Sequence, residues 1–451
     1  MGQNENRGGI HLSDDEPRAT VGSALSTRAL RRLSTPIKSA VLALIIPVLL
    51  VSALRWPLEF AQILNDPHAA ANKDFVSYWA AGKLLVSHRN PYDARAARTL
   101  EKAAGYLPSQ GLTMRNPPVA LFLVVPLGLL GIKWAVFLWT LLIAACVAVA
   151  VRVVWTMHAR PPNKIHMLGF VFPAAISCLA AGQTSAFALV GLTLFLCLNK
   201  RRPFLAGVSI AVCAIKPHLF LPFGAVLLMW IIINRLWPVI LGAVTALVAS
   251  LAIVMSFHGP VWSEYFAMLT TDGVGRDLIA VTSSLLRFAI NRNEMWLQFV
   301  PAMLGILWAV WYFRRHRTGW DWQTMGSLLL LVSLFVAPYS WFFDEIILIP
   351  AILHGIYASS NQLRAGLGFG VISCVATVEG LAGVPLYSGL YMWTSALWLG
   401  WYVLETRQSA PVPEANMHML LDPGTRGDMA AQMPQLVQQD NNALALKRKR
   451  T

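Results

Sequence analysis

The chain has 451 residues, of which 56% are hydrophobic and 13% charged, and its mean hydropathy is +0.55. Soluble domains carry roughly 25% charged residues, so this composition excludes an ordinary soluble protein and indicates an integral membrane protein. The formal net charge of +14 resides mostly in Lys and Arg at the ends of apolar runs. We interpret these basic residues as topology signals and expect no nucleic-acid partner.

Apolar runs recur along most of the chain, and a polar segment lies at each end. We predict a polar cytoplasmic tail at 1–36, one membrane domain at 37–404 and a disordered cytoplasmic tail at 405–451. The five cysteines lie inside apolar runs without Cys-x-x-Cys spacing, so we expect neither disulfides nor metal ligation. The predicted spans lie at about 37–56, 132–154, 167–181, 183–198, 204–215, 217–233, 237–257, 297–313, 323–337, 342–358, 363–380 and 388–404.

A further apolar run, "NPPVALFLVVPLGLL", lies at about 117–131. It is shorter than the roughly 20 residues that a spanning helix needs, and it contains three prolines. The basic clusters of the chain all fall on one face only if this run does not cross, so we predict an interfacial or re-entrant half-helix. This topology predicts an all-α protein of the bacterial inner membrane, with about 12 spans and both tails cytoplasmic.

The long first loop contains "DFVSYWAAGKLL", residues 74–85. We predict a short interfacial helix in which Phe75, Tyr78 and Trp79 lie at head-group depth, while Ala80 to Gly82 allow a neighbouring backbone to approach. Asp74 begins this helix and would project from the extracytoplasmic face. The alternative is that Asp74 only caps the helix N-terminus.

Four other polar stretches are predicted on the same face. They are "AGQTS" at the tip of a hairpin formed by 165–199, "IKPH" at 215–218, "VTSSLLRF" at 281–288 and "APYSWFFDE" at 337–345. Such convergence favours an extracytoplasmic site. Its candidate residues include Gln183, Lys216, His218, Arg287, Tyr339, Trp341 and Asp344.

All of these residues except Asp344 also have a simpler interpretation. Gln183 can cap a turn, Lys216 can snorkel to the interface, and His218 can be an ordinary interfacial histidine. Tyr339 and Trp341 resemble an aromatic belt, and Arg287 can be a stray topology charge. Lys216 and Arg287 together, near the lipid surface, would nevertheless suit an anionic head group.

The order of these motifs over residues 70–355 resembles glycosyltransferase family 87. The resemblance rests on "DFVSYWAAGKLL" with "NPYD", "NPPVALFLVVPLGLL", "GQTSAFALVGLTLFL", "KRRPFLAGVSIAVCAIKPHLFLPF", "SSLLRF" and "PYSWFFDEIILIPAIL". The tip "GQTS" departs from the family, where Asn commonly follows the Gln. The resemblance implies a GT-C-like multispanning bundle, a polyprenyl-phosphate mannose donor, and a catalytic base in the first extracytoplasmic loop, which Asp74 matches.

The chemistry of such a donor assigns a role to each candidate. A carboxylate, Asp74, would take the acceptor's proton, while Lys216, His218 and Arg287 would hold the departing phosphate. Substrate contacts are expected from Tyr78, Trp79, Gln183, Tyr339, Trp341 and Asp344. We expect no cofactor and no metal site, a lipid or glycan acceptor, and transfer with inversion. The alternatives are a transporter or flippase of lipid-linked sugars and a scaffold subunit, although the sequence shows no duplicated half.

Overall fold

The computed structural model describes residues 21–66, 68–71, 73–108, 111–271, 281–386 and 388–407, with side chains described from residue 42 onward. The described part of the chain is helical and contains no strand. The all-α prediction is therefore confirmed. The predicted tail at 405–451 lies outside the described residues from 408 onward, as do the first 20 residues of the N-terminal tail.

The first half of the chain contains α1 to α9 and four 3-10 helices. The α-helices are α1 Val21–Asn65, α2 Phe75–Val86, α3 Ala94–Ala103, α4 Val125–Leu129, α5 Ile132–Met157, α6 Pro173–Ala181, α7 Ser185–Leu198, α8 Pro203–Ala211 and α9 Leu221–Ile233. The 3-10 helices are Pro118–Leu123, Ile165–Phe170, Val212–Ile215 and Pro217–Phe220.

The second half contains α10 to α17. They are α10 Trp237–Phe257, α11 Val261–Thr271, α12 Leu285–Ala289, α13 Phe299–His316, α14 Met325–Phe335, α15 Ile349–Ala358, α16 Gln362–Leu381 and α17 Trp393–Thr406. The 3-10 helices here are Thr282–Ser284, Met295–Gln298, Arg317–Gly319, Phe342–Leu348 and Gly389–Tyr391.

Five helical segments of the described chain are long and apolar enough to cross a membrane. Several other predicted spans form shorter apolar helices, such as α7 and α14, so the number of about 12 crossings stays a prediction. The candidate crossing Leu42–Asn65 overlaps the first predicted span, 37–56, and continues past its predicted end. The five segments are Leu42–Asn65, Ile132–Met157, Trp237–Phe257, Met295–Gly319 and Gln362–Leu381.

The hairpin predicted for 165–199 is present. The chain passes through the 3-10 helix Ile165–Phe170 and α6, turns at Gly182 to Thr184, and returns as α7. The turn is made by Gly182, which has φ +70° and ψ 40° and ends α6 in the left-handed region that favours glycine. The run at 117–131 forms a short 3-10 helix followed by α4 instead of one long helix.

The interior is formed around α5, α6, α7 and the segment 342–358. All seven residues of the 3-10 helix Phe342–Leu348 are buried, including Asp344 and Glu345. Because buried carboxylates are costly without partners, these two acids need compensating contacts inside the protein. The five cysteines are free thiols.

The helix α2 is packed inside the protein, so the prediction that its aromatic rings anchor in lipid head groups is wrong, while its depth in the membrane stays a prediction. Ten of its twelve residues are buried, and Phe75, Tyr78 and Trp79 expose 0%, 5% and 8% of their surface. These rings contact protein and not lipid head groups. Aromatic residues suit either environment, because each offers a large apolar face together with, in Tyr and Trp, a polar tip.

The close backbone approach predicted at Gly82 is confirmed. The helix α2 lies against α4, and a Cβ at Gly82 would be 2.3 Å from the carbonyl oxygen of Val124. On the facing helix, a Cβ at Gly128 would be 2.2 Å from the carbonyl oxygen of Gly82. Since no side chain fits these gaps, the two glycines set how closely α2 approaches α4.

We therefore expect Gly82→Ala to lower the stability of the protein by about 1–3 kcal/mol, the usual cost of overpacking. The measurement is the thermal unfolding midpoint in detergent. Gly224→Ala in α9 is the matched control, because a Cβ there meets nothing within 4 Å. Equal midpoints for Gly82→Ala and Gly224→Ala would contradict the close packing of α2 on α4.

Candidate active site

Four predicted residues from four separate segments meet in one hydrogen-bonded group. Asp74 precedes α2, Gln183 lies in the turn between α6 and α7, Lys216 separates two 3-10 helices, and Asp344 lies in Phe342–Leu348. Their side chains connect in the order Asp74, Gln183, Lys216, Asp344. We call these four residues the polar network.

Asp74 occupies the N-cap position of α2 but makes no capping hydrogen bond with its side chain. Its Oδ2 instead accepts a hydrogen bond of 2.6 Å from Nε2 of Gln183. The simpler interpretation of Asp74 as a helix cap is therefore wrong. Burial raises the pKa of Asp74, while the hydrogen bond from Gln183 and the charge of Lys216 partly oppose this rise. A raised pKa brings a carboxylate closer to the range in which it exchanges protons near neutral pH.

Gln183 is the centre of the polar network. Its Oε1 accepts hydrogen bonds from the Tyr78 hydroxyl at 2.8 Å and from Nζ of Lys216 at 3.0 Å. The orientation of the amide follows from chemistry, because an ammonium only donates and the amide oxygen must therefore face Lys216. The amide nitrogen is thereby directed to Asp74.

The turn that carries Gln183 is held by its neighbours. The carbonyl oxygen of Gly182 accepts a 2.7 Å hydrogen bond from Nε1 of Trp139 on α5. A Cβ at Gly182 would lie 2.8 Å from Cβ of Phe75, at the start of α2. The glycine thus lets the α6–α7 turn lie directly against the segment that carries Asp74.

Lys216 and Asp344 form a buried ion pair. Nζ of Lys216 is 2.6 Å from Oδ1 of Asp344, and the two side chains are 9% and 1% exposed. Asp344 also accepts hydrogen bonds from the Ser185 hydroxyl and from the backbone N–H of Trp341, the latter at 2.9 Å. Lys216 lies 5.1 Å from the centre of the Phe343 ring. The simpler interpretation of Lys216 as a snorkelling residue is therefore wrong.

Two aromatic contacts lie in the same segments as the ion pair. The rings of His218 and Tyr339 are stacked with centroids 3.7 Å apart, and those of Trp341 and Phe343 are stacked at 6.3 Å. His218 follows Lys216 in sequence by two residues, so this stacked pair forms part of the surroundings of the network. The rings of Tyr339 and Trp341, for which an aromatic belt was the simpler interpretation, thus pack on other side chains of the protein.

Trp79 and Arg287 are placed differently from the other candidates. Nε1 of Trp79 donates to the carbonyl oxygen of Leu130 at 3.1 Å, which fixes α2 to the end of the α4 segment. Arg287 is fully buried and donates to the carbonyl oxygen of Arg292 and to Oε1 of Gln298. Among these hydrogen bonds, Arg287 shares no residue with the polar network.

Two further polar side chains next to the network, Lys73 and Asn116, were missed in the sequence. Nζ of Lys73 is 2.6 Å from a carboxylate oxygen of Glu59 on α1 and also donates to the carbonyl oxygen of Ala180. Nδ2 of Asn116 donates to the Thr184 hydroxyl at 3.3 Å. The available signals were Lys73, directly before Asp74, and Asn116, the first residue of "NPPV". Both are equally typical of ordinary loop residues.

Metal binding was not predicted. Within the described ranges, no group of three His, Cys, Asp or Glu side chains is close enough to hold a metal ion.

Residues 115–338 match the family model described as glycosyltransferase family 87. The chain is a member of this family. No curated protein and no solved structure matches the chain significantly. The matched range contains Gln183 and Lys216, whereas Asp74 precedes it and Asp344 follows it. Family membership therefore supports a membrane glycosyltransferase. The match does not include Asp74 or Asp344, so their roles are inferred from the geometry of the site.

The buried pair generates a stability prediction. Lys216→Met leaves the Asp344 charge buried without its partner, which is expected to cost about 3–5 kcal/mol. The double variant Lys216→Met/Asp344→Asn removes both charges and should be more stable than Lys216→Met alone. Thermal unfolding in detergent measures both differences.

The control is Lys200→Met, which removes an exposed ion pair. Lys200 and Asp321 are 3.4 Å apart with side chains 68% and 38% exposed, so the loss should be below about 1 kcal/mol. If Lys216→Met unfolded at the same temperature as Lys200→Met, the 2.6 Å contact would not be a structural ion pair.

Proposed function

We propose that this family member transfers mannose from a polyprenyl-phosphate donor to a hydroxyl group of a lipid or glycan acceptor, with inversion at the anomeric carbon. The observation that carries the proposal is the link from Asp74 through Gln183 to Lys216. One amide places a carboxylate and an ammonium group within a single site of a membrane glycosyltransferase. Together they provide a proton acceptor and a cation for a phosphate.

The reaction can be written as one displacement. The acceptor oxygen attacks the anomeric carbon, the bond from that carbon to the phosphate oxygen breaks, and its electron pair stays on the phosphate. The acceptor proton passes to the carboxylate of Asp74, and the ammonium of Lys216 stabilises the negative charge that develops on the leaving group. Attack opposite the leaving group inverts the anomeric configuration.

Asp74 is a better candidate for the base than Asp344. Asp344 is 1% exposed and already accepts hydrogen bonds from Lys216, Ser185 and Trp341. Asp74 is only partly buried, and the described side-chain hydrogen bond to it comes from Gln183. We therefore assign Asp74 as the proton acceptor and Asp344 as the residue that positions Lys216.

Lys216 is held in place but retains donor capacity. An ammonium group has three N–H bonds. In the described contacts, Lys216 donates one to Asp344 and one to Gln183. The remaining N–H is the one that we assign to the donor phosphate. His218, stacked on Tyr339, remains a proposed neighbour of the phosphate. For Arg287 we favour a structural role, because its contacts with Arg292 and Gln298 support its own loop.

The alternative of a transporter or flippase is disfavoured by the match to a glycosyltransferase family. We propose that the site faces the extracytoplasmic side of a bacterial inner membrane and that both tails are cytoplasmic. This orientation rests on the distribution of Lys and Arg near the ends of the apolar runs. A lipid-borne donor suits this location, because its phosphate lies at head-group depth where the sugar can reach the site.

The test of the proposal is Asp74→Asn, assayed with radiolabelled polyprenyl-phosphate mannose in membranes and after purification. Asparagine keeps an oxygen that can accept from Gln183, so the variant should fold. Its turnover should fall by about 10²- to 10⁴-fold, the usual contribution of positioned proton transfer.

The matched control is Asp93→Asn in the same loop. Asp93 caps α3 by accepting from the backbone N–H groups of Arg95 and Ala96, a role that asparagine can fill. The control should retain wild-type turnover. Folded Asp74→Asn protein that transfers mannose as fast as Asp93→Asn would remove Asp74 as the base.

A further inference from the structure

A second polar feature lies at the opposite end of α5 from the polar network. Trp139 of α5 contacts Gly182, next to the network, whereas Trp155 is 16 residues further along the helix. At 1.5 Å per residue this separation is roughly 24 Å, most of the thickness of a bilayer's hydrocarbon core. The surroundings of Trp155 therefore lie near the other membrane surface.

A groove of about 450 Å³ opens there between α5 and the 3-10 helix Ile165–Phe170. The chain leaves α5 at Met157, reverses direction in a loop, and returns through the 3-10 helix towards α6. Ala159 and Arg160 make the reversal with φ values of 57° and 54°. The two walls of the groove therefore run in opposite directions along the chain.

Both walls change from apolar to basic in the same spatial direction. On α5, Ala148 and Val151 precede Arg152 and Trp155, so the basic residue lies nearer the helix end. On the returning wall the order is reversed, because Lys164 and His166 come before Met167 and Phe170. The groove thus has a basic outer end and an apolar inner end, which matches a molecule with an anionic head group and a hydrocarbon chain.

The basic end of the groove contains charged groups that form no ion pair and polar atoms that form no hydrogen bond within the described part of the chain. Among the described residues, Arg152 and Lys164 form no ion pair, and the residues that line the groove include no acid. Nδ1 of His166 and Oδ1 of Asn163 are buried without a hydrogen-bond partner. The guanidinium of Arg152 lies 4.7 Å from the centre of the Trp155 ring, which holds it beside the groove.

We propose that this groove binds the phosphodiester head group of an anionic phospholipid, with one acyl chain along the apolar end. Basic pockets between membrane helices on the cytoplasmic side favour such lipids, because the phosphate gains charge-assisted hydrogen bonds while the chain stays in hydrocarbon. The site is separate from the polar network by most of the membrane thickness, so the bound lipid is not the sugar donor. Its role is to hold the α5–α6 connection at the membrane surface.

The experiment is native mass spectrometry of the full-length protein after incubation with phosphatidylglycerol or with phosphatidylcholine of the same chain composition. The wild type should retain phosphatidylglycerol in preference to phosphatidylcholine. The double variant Arg152→Gln/Lys164→Gln should lose this retention by roughly tenfold or more, as expected when two basic residues at a head group are removed. Lys200→Gln/Arg201→Gln removes the same charge from another exposed basic cluster and should retain the lipid.

Three results would overturn the proposal. They are equal retention of the two lipids by the wild type, equal loss in both double variants, and displacement of the lipid by inorganic phosphate, which would indicate a free-phosphate site. A second measurement uses only the wild type, so it does not depend on whether the variants fold. Phosphatidylglycerol with a photoreactive acyl chain should crosslink within residues 148–170 in nanodiscs, and crosslinks spread evenly over the membrane-facing surface would contradict a specific site.

Discussion

The hydrogen bonds of the Gln183 amide determine the geometry of the whole candidate site. Its oxygen faces Tyr78 and Lys216, so its nitrogen must face Asp74. A carboxylate and an ammonium group that lie 142 positions apart in the chain are thereby held on either side of one side chain. If the amide were replaced by an apolar group, Asp74 would lose its described side-chain hydrogen bond, and Lys216 would keep Asp344 but lose its link to Asp74.

The backbone around this amide is built to bring distant segments together. Gly182 lets the turn lie against Phe75, and Gly82 with Gly128 lets α2 lie against α4. Lys216 interrupts the helical path between Val212–Ile215 and Pro217–Phe220, with φ −137° and ψ 67°, so its side chain leaves the backbone inside the protein. The ion pair with Asp344 then offsets the cost of burying that charge.

Much of this site was predictable because polar residues interrupt apolar runs at only a few positions. Asp74, Gln183, Lys216 and Asp344 were each identified in that way, and the topology placed them on one face. Their pairing was not predictable, because a single sequence carries no information on which break contacts which. Burial of α2 was also missed, since Phe75, Tyr78 and Trp79 are suited both to a head-group interface and to a protein interior.

The extent of the membrane domain was harder to predict than the site. The first crossing is part of one long helix, α1, whose apolar portion continues past Arg55 and Pro57 to Asn65. The predicted span ends at residue 56, but the helix continues to Asn65 and buries Glu59 beside Lys73. A buried partner for a charged residue is a tertiary feature, and the local pattern does not reveal it.

The central claim is that the polar network holds the sugar donor between Lys216 and Asp74. The most direct measurement is a cryo-electron-microscopy structure of the protein with a non-transferable phosphonate analogue of polyprenyl-phosphate mannose. We predict that a phosphonate oxygen lies within hydrogen-bond distance of Nζ of Lys216, with Asp74 on the opposite side of the anomeric carbon. Density for the phosphonate away from Lys216, or for the sugar with Asp74 facing another part of the ring, would contradict it.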